Sequence, residues 1–320
     1  MSICNDNTKF KQVYNISEDY LLNIIEGNFK TYFDWAFLNI GAWFDVSIDS
    51  QTIFGTNSHA KLLYHEDESY EAGSVWQGIR KDWVWESGVN FNNTNPISIS
   101  GLYINDSFYP NIPGSGTFEI DYPNGRIILE NPVNSESNVE LDYSYRFVQT
   151  YRAIDSPWFS LLQYSSLQTD NKDITRNSDG DWSIGPNHRF QLPAIIIEAV
   201  ARSRSRPFEI GSNSLIIEQD IAFHILAENK SDRNKLLDIL RLQQDNVIWL
   251  YNTNTLAQDD KYPLDHNGNL KNNPLMYPNI VGQYKWRKCW IKNVNLFEID
   301  SFHPNMHRGM IRATLEIISE

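Results

Sequence analysis

The chain has 320 residues and is 41% hydrophobic, 13% aromatic and 21% charged. These values are typical of a folded protein, and the length favours two compact units, or one compact unit plus a long appendage. The formal net charge is −13, with 40 Asp and Glu against 27 Lys and Arg. This balance argues against a protein that wraps DNA, because wrapping needs a surface rich in Lys and Arg.

Two further features bear on where the protein is used. No apolar run approaches the ~20 residues of a membrane-crossing helix, and the first residues lack a basic segment followed by an apolar one. Cys4 and Cys289 are the only cysteines, too few for a disulfide framework or a cysteine-rich zinc site. We therefore expect reduced thiols, use in a cytoplasm and no membrane partner.

Residues 17–44 predict a helix with many apolar side chains. Ser17 is a candidate N-cap, and Glu18 and Asp19 lie in the first turn, where carboxylates suit the helix dipole. We expect so apolar a helix to pack on its own domain or on a neighbouring subunit. The apolar residues that recur at helical spacing are Tyr20, Leu21, Ile24, Ile25, Phe29, Phe33, Phe37 and Leu38.

Residues 42–151 contain short alternating runs bounded by Gly, Pro and Asn, which predict antiparallel strands. One hairpin is expected with its tip at Asn105 and Asp106, and a second with its turn at Pro123, Asn124 and Gly125. These elements predict a small β-sandwich or barrel-like unit. A further half-buried strand is predicted from apolar alternation at Val139, Leu141, Tyr143 and Tyr145.

The rest of the chain combines polar segments with strand patterns. Residues 168–188 predict a long surface loop between domains, and residues 252–278 a second polar loop. The pattern also predicts a helix at residues 232–244, capped by Ser231. Strands are predicted at residues 192–201, 215–226, 247–251, 284–297 and 308–318.

The predicted fold class is α+β. Residues 1–155 would form an N-terminal helix plus an antiparallel β unit, and residues 156–320 a mixed-sheet α/β domain with one main helix on a face. The common motifs of enzymes and cofactor sites are missing, namely glycine-rich phosphate loops, a nucleophile elbow and a Cys-x-x-Cys pair. We therefore expect no catalytic residues, no cofactor and no metal.

Three places could supply metal ligands, and each has a plainer interpretation. His303 and His307 are spaced i,i+4, but Pro304 disfavours the helix that would align them, so a turn in a closing hairpin is preferred. Residues 65–68 lack the second histidine of a zinc protease motif and suit a solvated acidic loop. Oxygen ligands around Gly180, without the spacing of a calcium loop, are Asp170, Asp173, Asn177, Asp179 and Asp181.

Arg202, Arg204 and Arg206 form the only dense basic cluster that this interpretation of the sequence identifies. Alternation at period two places all three on one face of an extended segment. They could dock to an acidic neighbouring subunit, touch a phosphate backbone or form an ordinary solvated edge. Because the chain is acidic, we favour a subunit interface with carboxylates as partners.

A tryptophan-rich segment offers another alternative. Trp76, Trp83 and Trp85 lie beside Arg80 and Lys81, and such a group could form a platform on which a sugar stacks. Tryptophan at this density is also common in a core or an interface. We prefer the core or interface interpretation.

Two stretches resemble virion proteins of tailed bacteriophages. Residues 120–128, with residues 101–105 before them and a strand at residues 143–145 after them, look like a β unit of phage structural proteins. The C-terminal third is similar to tail-terminator and tail-completion proteins. That second similarity lies in a loop at residues 207–212, a strand ending at residues 227–228, the helix from Ser231 and the final strand at residues 311–316.

The resemblance implies a non-enzymatic structural protein of the virion neck. It implies a hexameric ring of identical copies that terminates or completes the tail and docks it to the connector. The implied partners are tail tube, sheath and connector proteins, and DNA that passes through the lumen without specific binding. The alternatives are a head–tail connector (an adaptor or stopper protein) and, in another class, a carbohydrate-binding host-recognition virion protein.

Overall fold

A computed structural model gives the fold of the chain, and the predicted α+β class is confirmed, with 20% of the structure helical and 44% in strands. The residues that the structure describes are 20–50, 53–54, 57–86, 88–112, 116–166, 174–177, 180–185, 188–209, 215–253, 256 and 262–319. None of the described helices is long and apolar enough to cross a membrane.

The helices and strands are numbered in chain order. The helices are α1 (Tyr20–Asn39), α2 (Pro157–Ser166), α3 (Lys230–Arg241) and α4 (Asn279–Gln283). The strands up to residue 152 are β1 (Trp43–Val46), β2 (Ile53–Phe54), β3 (Asn57–Ser58), β4 (Leu63–Tyr64), β5 (Val75–Gln77), β6 (Gly101–Ile104), β7 (Ser107–Pro110), β8 (Phe118–Asp121), β9 (Arg126–Leu129), β10 (Val139–Glu140), β11 (Tyr143–Arg146) and β12 (Gln149–Arg152). The later strands are β13 (Ile174–Arg176), β14 (Asp181–Ile184), β15 (His188–Gln191), β16 (Ala194–Pro207), β17 (Leu215–Ala227), β18 (Val247–Tyr251), β19 (Lys285–His303) and β20 (Met306–Ser319).

A six-stranded sheet is the largest element of the fold. Its strand order is β12-β16-β17-β20-β19-β18, and every neighbouring pair is antiparallel except β12 and β16, which are parallel. The five strands predicted after residue 190 are confirmed, and β19 and β20 form a long closing hairpin. The sheet is mixed, as expected for this part of the chain.

One face of this sheet is covered by α3, the main helix predicted for this part of the chain, and also by α1, which comes from the N-terminal part. On α1, Phe29 and Phe33 are buried four residues apart, and their ring centroids lie 5.6 and 5.3 Å from that of Phe223 on β17. The predicted division at residue 155 stays a prediction. However, both α1 and β12 precede that boundary: α1 contributes to the core of the sheet that follows it, and β12 is one of the strands of that sheet.

The cap of α3 differs from the expected one. Asn229, not Ser231, is the N-cap, because its extended backbone lets its side chain accept a hydrogen bond of 2.8 Å from the amide of Asp232. On α1, the predicted cap Ser17 lies outside the described residues. Both helices end earlier than their apolar patterns suggested, at Asn39 and Arg241.

The segment predicted as a surface loop at residues 168–188 contains strands. β13, β14 and β15 form a three-stranded antiparallel sheet, in which Trp182 and Phe190 are fully buried. With α2, this small sheet covers part of the second face of the six-stranded sheet, around Ile196 and Leu226. The polar composition of the segment hid the alternate burial of its few apolar residues.

Residues 43–146 form a separate group of short strands, called the β unit below. Both predicted hairpins are confirmed: β6 and β7 turn at Asn105 and Asp106, which have positive φ, and β8 and β9 turn at Gly125, with φ of 63°. Its four small sheets have two to four strands each, and the three that contain β1, β6 and β9 share one core. Trp83 lies at that core, with its ring centroid 4.6 Å from that of Tyr143.

Polar contacts tie the β unit to the rest of the chain. The guanidinium of Arg189 on β15 donates to the carbonyl of Ile79 over 2.9 Å, and the amide of Lys81 donates to the side chain of Gln191 over 2.9 Å. On the other side, the amide of Tyr122 donates to the carbonyl of Gly268. The second predicted polar loop therefore packs partly against the β unit.

Candidate interaction surface on the open sheet face

The part of the second sheet face that α2 and the small sheet leave exposed is called the open face. The strand register sets which of its side chains are neighbours across the strands: Arg204 lies opposite Glu218, Glu218 opposite Glu316, and Glu316 opposite Trp290. The side chains alternate with those buried beneath α1 and α3, as expected for a sheet. The open face comprises Arg204, Arg206, Glu218, Asp220, Trp249, Lys285, Lys288, Trp290, Lys292, Phe297, Arg312, Thr314 and Glu316.

The predicted arginine cluster lies only partly on this face. Arg204 and Arg206 are both exposed and point to the same side of β16. Arg202 lies in an irregularity between Ala199 and Ser203, where the register with β17 shifts, and its side chain is outside the described part of the chain. The predicted alternation therefore holds for Arg204 and Arg206 only, because the irregularity that contains Arg202 interrupts it.

Ion pairs hold several open-face side chains in place. Glu316 accepts from Lys292 over 2.6 Å and from Arg206 over 3.1 Å. Burial alone would raise the pKa of the Glu316 carboxyl, but these two hydrogen bonds outweigh it and hold that pKa below its ordinary value. A second pair joins Arg312 to Asp220 over 2.7 Å. Arg206, Lys292 and Arg312 are thus positioned by carboxylates within the same sheet.

Exposed aromatic side chains accompany these charges. Trp249 and Trp290 retain 41% and 39% exposure, and Phe297 retains 64%. The Lys285 ammonium lies 5.1 Å from the ring centroid of Trp249, and that of Lys292 lies 5.9 Å from the ring of Trp290, which are cation–π distances. A depression of about 390 Å³ lies beside Phe297 and is lined by Arg204 and Arg312 among others.

The first half of β19, which is aromatic and basic, was not predicted to be a candidate site. Residues 285–292 contain four Lys and Arg and two Trp, so Arg202, Arg204 and Arg206 are not the only dense basic cluster. The signal was available, because cations interleaved with tryptophan are typical of binding surfaces. Strand pairing then places Lys288 beside Trp249 of β18, a proximity that no local pattern reveals.

The tryptophans considered for sugar stacking lie elsewhere and are mostly buried. Trp76 and Trp83 are 1% and 0% exposed, and their indole nitrogens donate to the carbonyls of Gly73 and Arg80. Trp85 is half-buried against the same core. Neither Trp76 nor Trp83 has a ring face available to a ligand, so the core interpretation is confirmed for these two residues.

The candidate metal ligands are dispersed. His303 and His307 flank the turn between β19 and β20, where the His303 ring accepts from the amide of Asn305 and His307 contacts the hydroxyl of Ser301. The preferred hairpin-turn interpretation is therefore confirmed. Asp170, Asp173 and Asp179 lie outside the described residues, whereas Asp181 pairs with Arg189 over 2.7 Å. Within the described ranges, no three His, Cys, Asp or Glu side chains are grouped so as to hold a metal ion.

A buried polar junction joins α1 to the β unit. Arg146 on β11 pairs with Glu86 and, over 3.3 Å, with Asp82, and it donates to the carbonyl of Asp34 over 3.2 Å. Lys30 lies 2.7 Å from the Asp34 carboxylate. Burial raises the pKa of Asp82 to about 6 despite the nearby Arg146. Burial would also raise the pKa of Asp34, but Lys30 and Arg146 hold it below its ordinary value.

No family model matches the sequence, and a search of curated proteins finds no significant match.

Proposed function

We propose that the chain is a non-enzymatic structural subunit that assembles with copies of itself into a ring in the neck or tail end of a tailed bacteriophage. The observation that carries the assembly part is the open face. It presents Trp249, Trp290 and Phe297 to solvent beside positioned arginines. Tryptophan, phenylalanine and arginine are the residues that protein interfaces favour, while solvent-facing sheets are usually polar.

The edge of the sheet favours contact through side chains over strand addition. Beside residues 203–207 of β16, the only neighbouring strand among the described ones is β17, since β12 pairs with residues 194–197. This edge carries Arg204, Arg206 and Pro207, and charged residues and proline on an edge oppose pairing with another strand. A partner is therefore expected to lie against the open face.

The position in a virion rests on the resemblance of two stretches to phage proteins. Residues 120–128 form the β8–β9 hairpin, and the later similarity corresponds to the end of β17, α3 and β20. A ring that completes the tail would bind tail tube, sheath and connector proteins and let DNA pass without specific binding. A head–tail connector protein needs the same kind of subunit and stays the alternative. The burial of Trp76 and Trp83 removes the observation that favoured carbohydrate binding.

Two measurements test the proposal. Sedimentation velocity at micromolar concentration should show a discrete homo-oligomer, and an antibody against the chain should label one end of the tail in electron micrographs of particles. A strict monomer at all concentrations would overturn the assembly proposal. An oligomer that is absent from particles would overturn the virion assignment alone.

A further inference from the structure

The negative charge of the protein is concentrated in one part of the chain. Residues 43–146, the β unit, contain 15 Asp and Glu and 5 Lys and Arg, a formal charge of −10 out of −13. The other 216 residues together carry the remaining −3. Such asymmetry within one chain indicates that the two parts meet different electrostatic environments.

The cations of the β unit do not neutralise its outer surface. All five of its Lys and Arg side chains are at least partly buried. Arg126 lies between Asp67 and Asp121, at 2.8 and 2.7 Å, and Arg146 is 2% exposed in the polar junction. The compensating charges are thus at least partly covered, and carboxylates dominate outside.

The densest exposed group of these carboxylates is a loop at residues 66–71, called the acidic loop. It follows β4, and Glu66, Glu68 and Glu71 are all exposed there. Its fourth carboxylate, Asp67, is the one that Arg126 binds. The three glutamates therefore present negative charge to solvent within six residues.

The open face has the opposite balance. Among the side chains that the structure describes there, it carries six cations and three carboxylates, and those carboxylates are mostly covered: Glu316 and Asp220 are 8% and 9% exposed. Arg204 and Lys288, by contrast, are exposed. An acidic protein therefore displays a basic and aromatic surface on one sheet face.

We propose that the open face of one copy binds the acidic loop of the β unit of a second copy. The proposal rests on the homo-oligomeric assembly proposed above and names the surfaces that would make it. Carboxylates of Glu66, Glu68 and Glu71 would meet Arg204 and Lys288, where a desolvated pair is stronger than an exposed one. The tryptophans of the open face would supply the apolar centre of the contact.

The two surfaces differ from each other, which determines the kind of assembly. A contact between unlike patches is heterologous, so each copy offers one free patch of each kind to the next copy. Such contacts close into a ring when the rotation between copies allows it, and otherwise give a filament. A contact between the open face and the acidic loop is therefore consistent with a ring and would not produce a simple two-fold dimer.

A nucleic acid fits the open face less well than an acidic protein surface does. Glu218 and Asp220 on β17 and Glu316 on β20 lie among the cations of β16, β19 and β20 and would repel phosphates. Lys285 and Lys292 already lie over the rings of Trp249 and Trp290, which obstructs base stacking. An acidic loop can place its carboxylates between these groups at defined positions.

Charge reversal in the full-length protein tests the pairing. Arg204→Glu with Lys288→Glu changes exposed side chains outside the ion pairs described for this face. Glu66→Lys with Glu68→Lys and Glu71→Lys changes the acidic loop independently. Sedimentation velocity should show that each variant needs at least about tenfold more protein for half-assembly than the wild type, since like charges then face each other. Lys230→Glu with Arg241→Glu on α3 is the matched control and should assemble like the wild type.

Mixing the variants gives the decisive outcome. The two charge-reversed proteins should assemble together at wild-type concentrations, because an acidic face then meets a basic loop and the unchanged surfaces still match. If the open-face and loop variants each assemble as readily as the control, the inference is overturned while the proposed oligomer stands. If each is impaired but mixing does not restore assembly, the open face and the loop are not partners. A wild type that stays monomeric overturns both proposals.

Discussion

The six-stranded sheet and the β unit achieve a buried core in different ways. In the sheet, β16, β17, β19 and β20 have 13 to 19 residues each, and their inward side chains meet two helices. In the β unit, no strand among the described residues exceeds four residues, and tight turns, large aromatic rings and buried polar contacts hold the pieces together. Stability should thus depend on side-chain volume in the sheet and on backbone geometry in the β unit.

The largest expected effect is in the core beneath α1. Phe33 is 3% exposed and packs on Phe223, so Phe33→Ala should lower the free energy of unfolding by about 3–5 kcal/mol. Phe297→Ala, an exposed phenylalanine of the open face, is the control and should change it by less than about 0.5 kcal/mol. Urea denaturation of both variants measures the difference. Equal losses would mean that the helix-covered face does not form the main core.

The stability of the β unit should be sensitive to changes in its backbone geometry. Gly125 has a φ of 63°, and a Cβ there would collide with the carbonyl of Arg80. Gly125→Ala should therefore cost more than the about 1–3 kcal/mol of left-handed strain alone. Gly185→Ala has a φ of 61° but open space around it, so it should show only that strain. Thermal unfolding of the two variants compares them, and equal losses would rule out the close approach.

The junction between the two regions should give a pH effect. The pKa of Asp82 is about 6 in the folded protein, whereas it is about 4 in the unfolded chain. Between about pH 4 and pH 6 the folded state therefore binds a proton at Asp82 that the unfolded state has lost. The free energy of unfolding should fall as pH rises through this range, by up to about 3 kcal/mol because of Asp82.

Asp82→Asn should remove that part of the pH dependence. The matched control is Asp106→Asn at the exposed tip of the β6–β7 hairpin, which should keep the wild-type slope. Chemical denaturation at several pH values provides the measurement. A slope that Asp82→Asn leaves unchanged would show that Asp82 is already ionised in the folded protein at low pH.

The smallest effect on folding is expected on the open face. Trp290→Ala should lower the free energy of unfolding by less than about 1 kcal/mol, because the ring is 39% exposed. Its effect on assembly should be larger, since exposed tryptophans contribute strongly once an interface buries them. Sedimentation at fixed concentration measures that effect. A stable variant that assembles normally would exclude Trp290 from the contact.

Much of the fold could be predicted because its signals are local. Apolar spacing identified α1 and α3, alternation identified β20, and Asn105 with Asp106 marked a hairpin through their tolerance of positive φ. The strands in residues 174–191 were missed because Trp182 and Phe190 are isolated among polar residues. Their burial depends on α2 and the large sheet, which are distant along the chain.

The candidate surface was less predictable than the fold. Alternation placed Arg204 and Arg206 on one side, but the irregularity after Ala199 interrupts the pattern before it reaches Arg202. Lys288 and Trp249 become neighbours only through the pairing of β18 with β19. Nothing local distinguishes buried Trp83 from exposed Trp290, because tertiary packing decides which ring faces remain free.

Thiol labelling of the open face tests the central claim most directly. Asn295 is exposed and lies opposite Arg312, beside the depression of the open face, so Asn295→Cys places a thiol on this surface. Cys4→Ser removes a competing thiol, while Cys289 is 0% exposed. Assembly should slow maleimide labelling at residue 295 by about tenfold or more, as expected where an interface excludes water. Ser231→Cys on α3, in the same background, should label at one rate in both states. Equal labelling of residue 295 in the monomer and in the oligomer would contradict the claim that the open face mediates assembly.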